Sequence, residues 1–127
     1  MNRTQFVQHL EKTYAEALAI VTKKNQDYGA DSDPFKNFRL VGHLDLTSVE
    51  TGIMVRLCDK FARLSNLIGG KAPAVTDESL DDTLLDAINY LAILRAYLAA
   101  KRPISSAEPQ AYVDHLHARF ETEILRV

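Results

Sequence analysis

Four polar residues, Glu78, Asp82, Asp86 and Asn89, recur at helical spacing in one stretch of this chain. At about 100° per residue they fall within roughly 80° of arc, a single polar stripe along one helix face. Leu80, Leu84, Leu85, Ile88, Leu91 and Leu94 fill most of the remaining circumference, so the stripe is expected to face a neighbouring element or a ligand at low dielectric. Acids this close repel one another, and a divalent cation relieves that repulsion. Oxygen ligands favour magnesium, manganese or calcium over zinc. The helix dipole accounts for Asp77, Glu78 and Asp81 near the start of the helix, but not for Asp86 and Asn89, which lie two turns or more inside it. A second row carries the opposite sign: Arg56, Lys60 and Arg63, with Asp59 and Asn66 beside them. Alone, this row reads as a solvated face with an Asp59–Arg63 helix pair. Set against the acidic stripe, it suits a metal-bound polyphosphate.

Helices must position both rows, and the pattern predicts four main ones. Phe6, Val7, Leu10, Tyr14, Ala17, Leu18 and Val21 recur at helical spacing, giving a first helix over 4–24 capped by Thr4 and stopped by Gly29. Asp33 followed by Pro34 starts a short extra helix over 34–41, with Lys36, Asn37 and Arg39 among Phe35, Phe38 and Leu40. This polar segment with an aromatic at each end is either a solvated connection or a lid over a site. After a break at 42–45, Thr47-Ser48-Val49-Glu50 reads as a capping box, with Glu50 in the cap. The second helix then runs to Ile68 before Gly69-Gly70. Its apolar arc is Ile53, Met54, Leu57, Cys58, Phe61, Leu64 and Ile68. The acidic helix follows, capped by Thr76 or Asp77 and ending near residue 100 ahead of Pro103. A last amphipathic helix over 110–125 would close the bundle or pack on a second subunit. His115 and His117, two apart, point to different faces and are poorly spaced for a shared metal.

The 127 residues fit one domain, 1–127. Lys+Arg 15 against Asp+Glu 17 leaves a formal charge of −2, which disfavours duplex nucleic acid as the main partner while leaving room for a local phosphate site. Cys58, the single cysteine, reads as a small core hydrophobe in a reducing compartment. There is no signal-peptide pattern and no apolar run that reads as a membrane span, so a cytoplasmic protein without a membrane partner is expected. Neither strand alternation nor a glycine-rich phosphate loop is present.

Three blocks carry a family resemblance. They are Lys24-Asn25-Gln26-Asp27-Tyr28-Gly29 with Phe35-Lys36-Asn37-Phe38-Arg39, then Arg56-Leu57-Cys58-Asp59-Lys60-Phe61-Ala62-Arg63-Leu64, then the run from Glu78 to Tyr90. In order and spacing the chain resembles the helical nucleotide-modification-associated domain of phages and bacteria. More distantly, the last block is similar to the MazG-like all-α nucleotide pyrophosphohydrolases, in which paired carboxylates on two helices hold magnesium. Where that group has Glu-x-x-Glu, this chain has Arg56-x-x-Asp59-Lys60, so one metal ligand of that motif is missing or is supplied by Glu50 or Asp27.

Together these readings predict a magnesium- or manganese-dependent enzyme splitting a nucleoside di- or triphosphate. Asp82 and Asp86, with Glu78 or Asp59, would hold the metal and lower the pKa of an attacking water. Lys60, Arg63, Lys36 and Arg39 would neutralise phosphate charge. Tyr28, Phe35 or Phe38 would stack on the base, and Asp27, Asp59 and Asn89 complete the substrate contacts. A non-catalytic nucleotide-binding protein is the alternative, favoured by the missing Glu-x-x-Glu. A plain helical interaction module is the third. A homodimer or homotetramer is expected.

Overall fold

The computed structural model describes residues 1–70 and 79–101. The fold is all-α, with helices α1 (Arg3–Tyr28), α2 (Leu40–His43), α3 (Val49–Ile68) and α4 (Leu80–Lys101). The expected helix over 110–125, with His115 and His117, lies outside the described residues, as do Glu78 and the caps Thr76 and Asp77. Met1–Tyr97 forms one compact unit that contains all the contacts discussed below, and Leu98–Val127 forms another.

α1 starts earlier and ends later than its apolar pattern suggests. Asn2, not Thr4, is the cap: its side chain accepts from the Gln5 backbone N–H, and the Gln5 side chain accepts from that of Asn2. The reciprocal pair satisfies two amides that would otherwise lack partners. At the other end the helix continues past Lys24 through Asn25, Gln26 and Asp27 to Tyr28. Two contacts fix that extension. The Asn25 amide donates to the Pro34 carbonyl at 2.7 Å, and the Gly29 N–H donates to the Asn25 carbonyl at 2.8 Å. A Cβ at Gly29 would lie 2.8 Å from Asn25 Nδ2, so glycine is what lets the chain turn off so close to that side chain.

The segment after α1 is a series of turns rather than a helix over 34–41. Asp33 Oδ1 accepts from the Phe35 N–H at 3.1 Å while Oδ2 accepts from Arg39 Nε at 2.8 Å. One carboxylate thus clamps both ends of the turn and competes with helix propagation. The Arg39 hydrogen bond also holds the Asp33 carboxyl below its ordinary 3.8. Regular helix appears only in α2, which occupies part of the expected break at 42–45. α2 sits tightly on α3, since a Cβ at Gly52 would come within 2.7 Å of Val41 Cγ2. α3 itself is capped by Ser48, one residue later than expected, with Thr51 in the position assigned to Glu50.

Phe38, Val49, Ile53 and Tyr97 form the buried core, with Phe35, Tyr90, Ile93 and Leu94 packed against it. The core therefore joins the turn, the first half of α3 and the second half of α4. Much of the apolar surface lies outside it. On α3, Ile53 and Leu57 are fully buried, whereas Met54, Phe61 and Ile68 are exposed, and Cys58 is exposed rather than a core residue. On α4, Leu80, Leu84 and Leu91 are likewise exposed, so the helix buries one face and not its whole circumference. Against expectation, α4 is long and apolar enough to pass a simple length-and-composition test for crossing a membrane. Its buried Thr83 and Asn89 and its ion-paired Asp86 are nevertheless satisfied by neighbouring helices of the bundle.

The contrast in burial sets the expected stabilities. Ile53→Ala should cost about 3 kcal/mol in urea unfolding, and Phe61→Ala about 1 kcal/mol or less. Equal costs would mean that the core does not lie where these contacts place it.

Candidate functional site

Asp86 is the meeting point of the three long helices. Lys24 Nζ from α1 lies 3.1 Å from its Oδ1, and Lys60 Nζ from α3 lies 3.1 Å from its Oδ2. The carboxylate and Lys60 are 16% and 20% exposed, whereas Lys24 is 57% exposed. Screening is therefore weak at the Lys60 pair and stronger at the Lys24 pair. Two ammonium groups occupy the two oxygens, so the carboxylate's charge is matched by the protein itself. Of the acidic stripe of α4 and the basic row of α3, Asp86 and Lys60 pair directly, where the matched signs suggested a metal-bound polyphosphate.

A cavity of about 200 Å³ opens beside this cluster. α1 lines it with Val21, Lys24, Asn25 and Tyr28, and α4 with Asp86, Asn89, Tyr90 and Ile93. Each set falls at i, i+3, i+4 and i+7, one face of a helix. Asn37 and Phe38 from the turn and Arg56 from α3 complete the wall. The Arg56 guanidinium lies 5.0 Å from the Phe38 ring centroid, a cation–π contact that steadies an otherwise exposed side chain. Arg56 makes no ion pair among the described residues. Asn89 Nδ2 donates to the Ala17 carbonyl of α1 at 3.0 Å and ties the two lining helices together. An adjoining groove of about 410 Å³ shares Val21, Asn25, Phe38, Asn89 and Ile93 with the cavity, and is otherwise mostly apolar, with Pro34, Phe35, Ala92 and Ala96.

The expected site residues separate into two groups. Asp86, Lys60, Asn89 and Tyr28 come together at or beside the cavity, and Phe38 lines it. The others lie elsewhere. Asp82 is exposed at the start of α4, where its Oδ2 accepts from the Ser79 N–H and hydroxyl while its own N–H donates to Ser79 Oγ. These bonds from Ser79, the backbone one first, hold its carboxyl below 3.8, and the charge of Lys24 adds to the effect. Arg63 Nε donates to Thr83 Oγ1 at 3.3 Å, and the Thr83 hydroxyl donates to the Ser79 carbonyl. Arg39 pairs with Asp33 and lies over the rings of Phe35 and Tyr97, which pack edge to face at 5.4 Å. Asp27, Lys36 and Asp59 are exposed and line neither compartment.

Of the expected metal trio, Glu78 lies outside the described residues, while Asp82 and Asp86 both have oxygens engaged by protein donors. Among the described residues no group of three or more His, Cys, Asp or Glu is placed to share a metal ion. The ammonium groups on Asp86 stand where a cation was expected. Arg56 comes from the expected basic row, whereas Lys24, Asn25 and Asn37 line the cavity without having been expected as site residues. The i, i+3, i+4, i+7 match between 21–28 and 86–93 was the signal available for two of them.

Removing Asp86 would take from Lys24 and Lys60 the carboxylate they share. Asp86→Ala should therefore destabilise the fold by about 2 kcal/mol in urea, between the limits for exposed and buried pairs. The Asp82 cap has a definite pH sign. Because its folded pKa is depressed, its contribution is present above the unfolded value near 3.8 and is lost as pH falls through the folded value. Ser79→Ala should flatten that acid limb in pH-dependent unfolding, and an unchanged limb would assign the acid sensitivity to other carboxylates.

Comparison with protein-family models, curated proteins and solved structures finds no match to this chain.

Proposed function

We propose that the protein binds a nucleotide, with its phosphates beside Arg56 and Lys24 and its base in the apolar groove of Phe35, Phe38 and Pro34. The observation that carries this reading is the electrostatic asymmetry of the cavity. Its lining holds two cations, Lys24 and Arg56, against one carboxylate, and that carboxylate is already shared with Lys60. Arg56 offers a planar fork of donors suited to phosphate oxygens, and the ring of Phe38 holds it at the cavity wall. An apolar groove next to a cationic pocket matches a molecule with a flat ring at one end and anionic charge at the other. The resemblance of the three sequence blocks to the nucleotide-modification-associated domain supports the same ligand class.

Binding without hydrolysis is the version the described side chains favour. Phosphate recognition needs bases, which are present. Metal-assisted hydrolysis needs several carboxylates free to organise magnesium, and Asp86 would have to exchange its lysines for the ion. The metal-dependent pyrophosphohydrolase reading keeps its support in the similarity of the Glu78–Tyr90 block to the MazG-like group.

Titration calorimetry with a panel of nucleoside mono-, di- and triphosphates separates the two, run once in EDTA and once in magnesium. For the binder, affinity survives EDTA, phosphorus NMR shows intact nucleotide, and Arg56→Ala weakens binding about tenfold or more. Pyrophosphate release that requires magnesium and disappears in Asp86→Asn would establish the hydrolase instead. A panel that binds under neither condition would overturn both.

A further inference from the structure

Three asparagines, Asn25, Asn37 and Asn89, are among the residues that line the cavity. Asn37 Oδ1 is shut away from solvent and accepts no hydrogen bond. Asn25 and Asn89 donate through Nδ2 to the carbonyls of Pro34 and Ala17. Those bonds fix which way each amide points, because a flipped amide would set oxygen against carbonyl oxygen. Their Oδ1 atoms are therefore acceptors, and they accept from no described residue. Asn25 and Asn89 also belong to both compartments, so they stand between the cationic cavity and the apolar groove.

In a nucleotide the sugar lies between phosphate and base. We infer that these carboxamide oxygens, with Asn37 as the chief reader, accept from the hydroxyls of a ribose, so that the site selects ribonucleotides over 2′-deoxyribonucleotides. The inference rests on the nucleotide-binding reading above and narrows it. Lys24 and Arg56 can only donate, which suits phosphate and not a hydroxyl hydrogen. A buried acceptor without a partner is costly to the free protein, and a ligand hydroxyl relieves that cost. A site built this way rejects the analogue that lacks the donor more strongly than one that merely encloses it.

The experiment compares matched ribo- and 2′-deoxyribonucleoside monophosphates of all four bases by calorimetry, on the wild-type chain and on Asn37→Leu. The wild type should bind the ribo form at least about tenfold more tightly. Asn37→Leu removes no hydrogen bond within the protein, so its melting temperature should be equal or higher, while the ribo-to-deoxy ratio falls toward one. Equal affinity for both sugars in the wild type would overturn this inference and leave nucleotide binding standing. A ratio unchanged in Asn37→Leu would overturn the role of Asn37. Failure of every nucleotide to bind would overturn the underlying reading as well.

Discussion

The carboxylate of Asp86, held between lysines from two other helices, is the constraint on which the rest of the arrangement depends. It is not part of the Phe38–Ile53–Tyr97 core, and it is the point where α1, α3 and α4 make ionic contact. Apolar packing is non-directional and tolerates helices that rotate or slide a little. An ion pair with both carboxylate oxygens engaged does not, since a shift of one residue along α4 would swing Asp86 by about 100°. Its contribution is as much to register as to stability. With the register set, the face of α4 that carries Asn89 and Tyr90 meets the face of α1 that carries Val21 and Asn25.

Each wall of the cavity has its own support. α1 and α4 are joined by the Asn89 bond to the Ala17 carbonyl, the turn is tied to α1 by the Asn25 bond to the Pro34 carbonyl, and Arg56 lies on Phe38. Two of these three links are made by side-chain amides that also face the cavity. The same residues thus build the site and present its polar groups, which leaves little freedom to change one role without the other. Asn37 is the exception, because its oxygen supports nothing in the fold.

The elements were legible because apolar periodicity and glycine stops are local signals. Three long helices and the end of α3 at Gly69 follow from them directly. The caps slipped by one or two residues where several candidates stood in a row. At Thr47-Ser48 and at Asn2-Arg3-Thr4, only three-dimensional geometry decides which side chain reaches the free amide. The meeting of Lys60 with Asp86 was foreseeable from opposite charges on neighbouring helices. The partnership of Lys24 with the same carboxylate was not, because the pattern ended α1 at that residue. The polar run Asn25-Gln26-Asp27 resembles a loop by composition, and a tertiary contact to Pro34 holds its first residue in the helix. The acidic stripe was read as a metal site because the repulsion between its members was evident, while the donors that relieve it came from outside the stripe.

The clamp that Asp33 places on the turn has a kinetic side. Its carboxylate holds the Phe35 amide and the Arg39 guanidinium at once, and the guanidinium rests on the ring of Phe35 in the turn and on that of Tyr97 in α4. Because the clamp closes between the protein's own groups, with the Arg39 hydrogen bond holding the carboxyl below its ordinary value, the wall carrying Asn37 and Phe38 is already set before any ligand arrives. Preorganisation of this kind spares a ligand the entropy of ordering a loop. Encounter then depends on diffusion and charge steering rather than on waiting for a segment to close, so differences in affinity among ligands fall chiefly on how fast each one leaves.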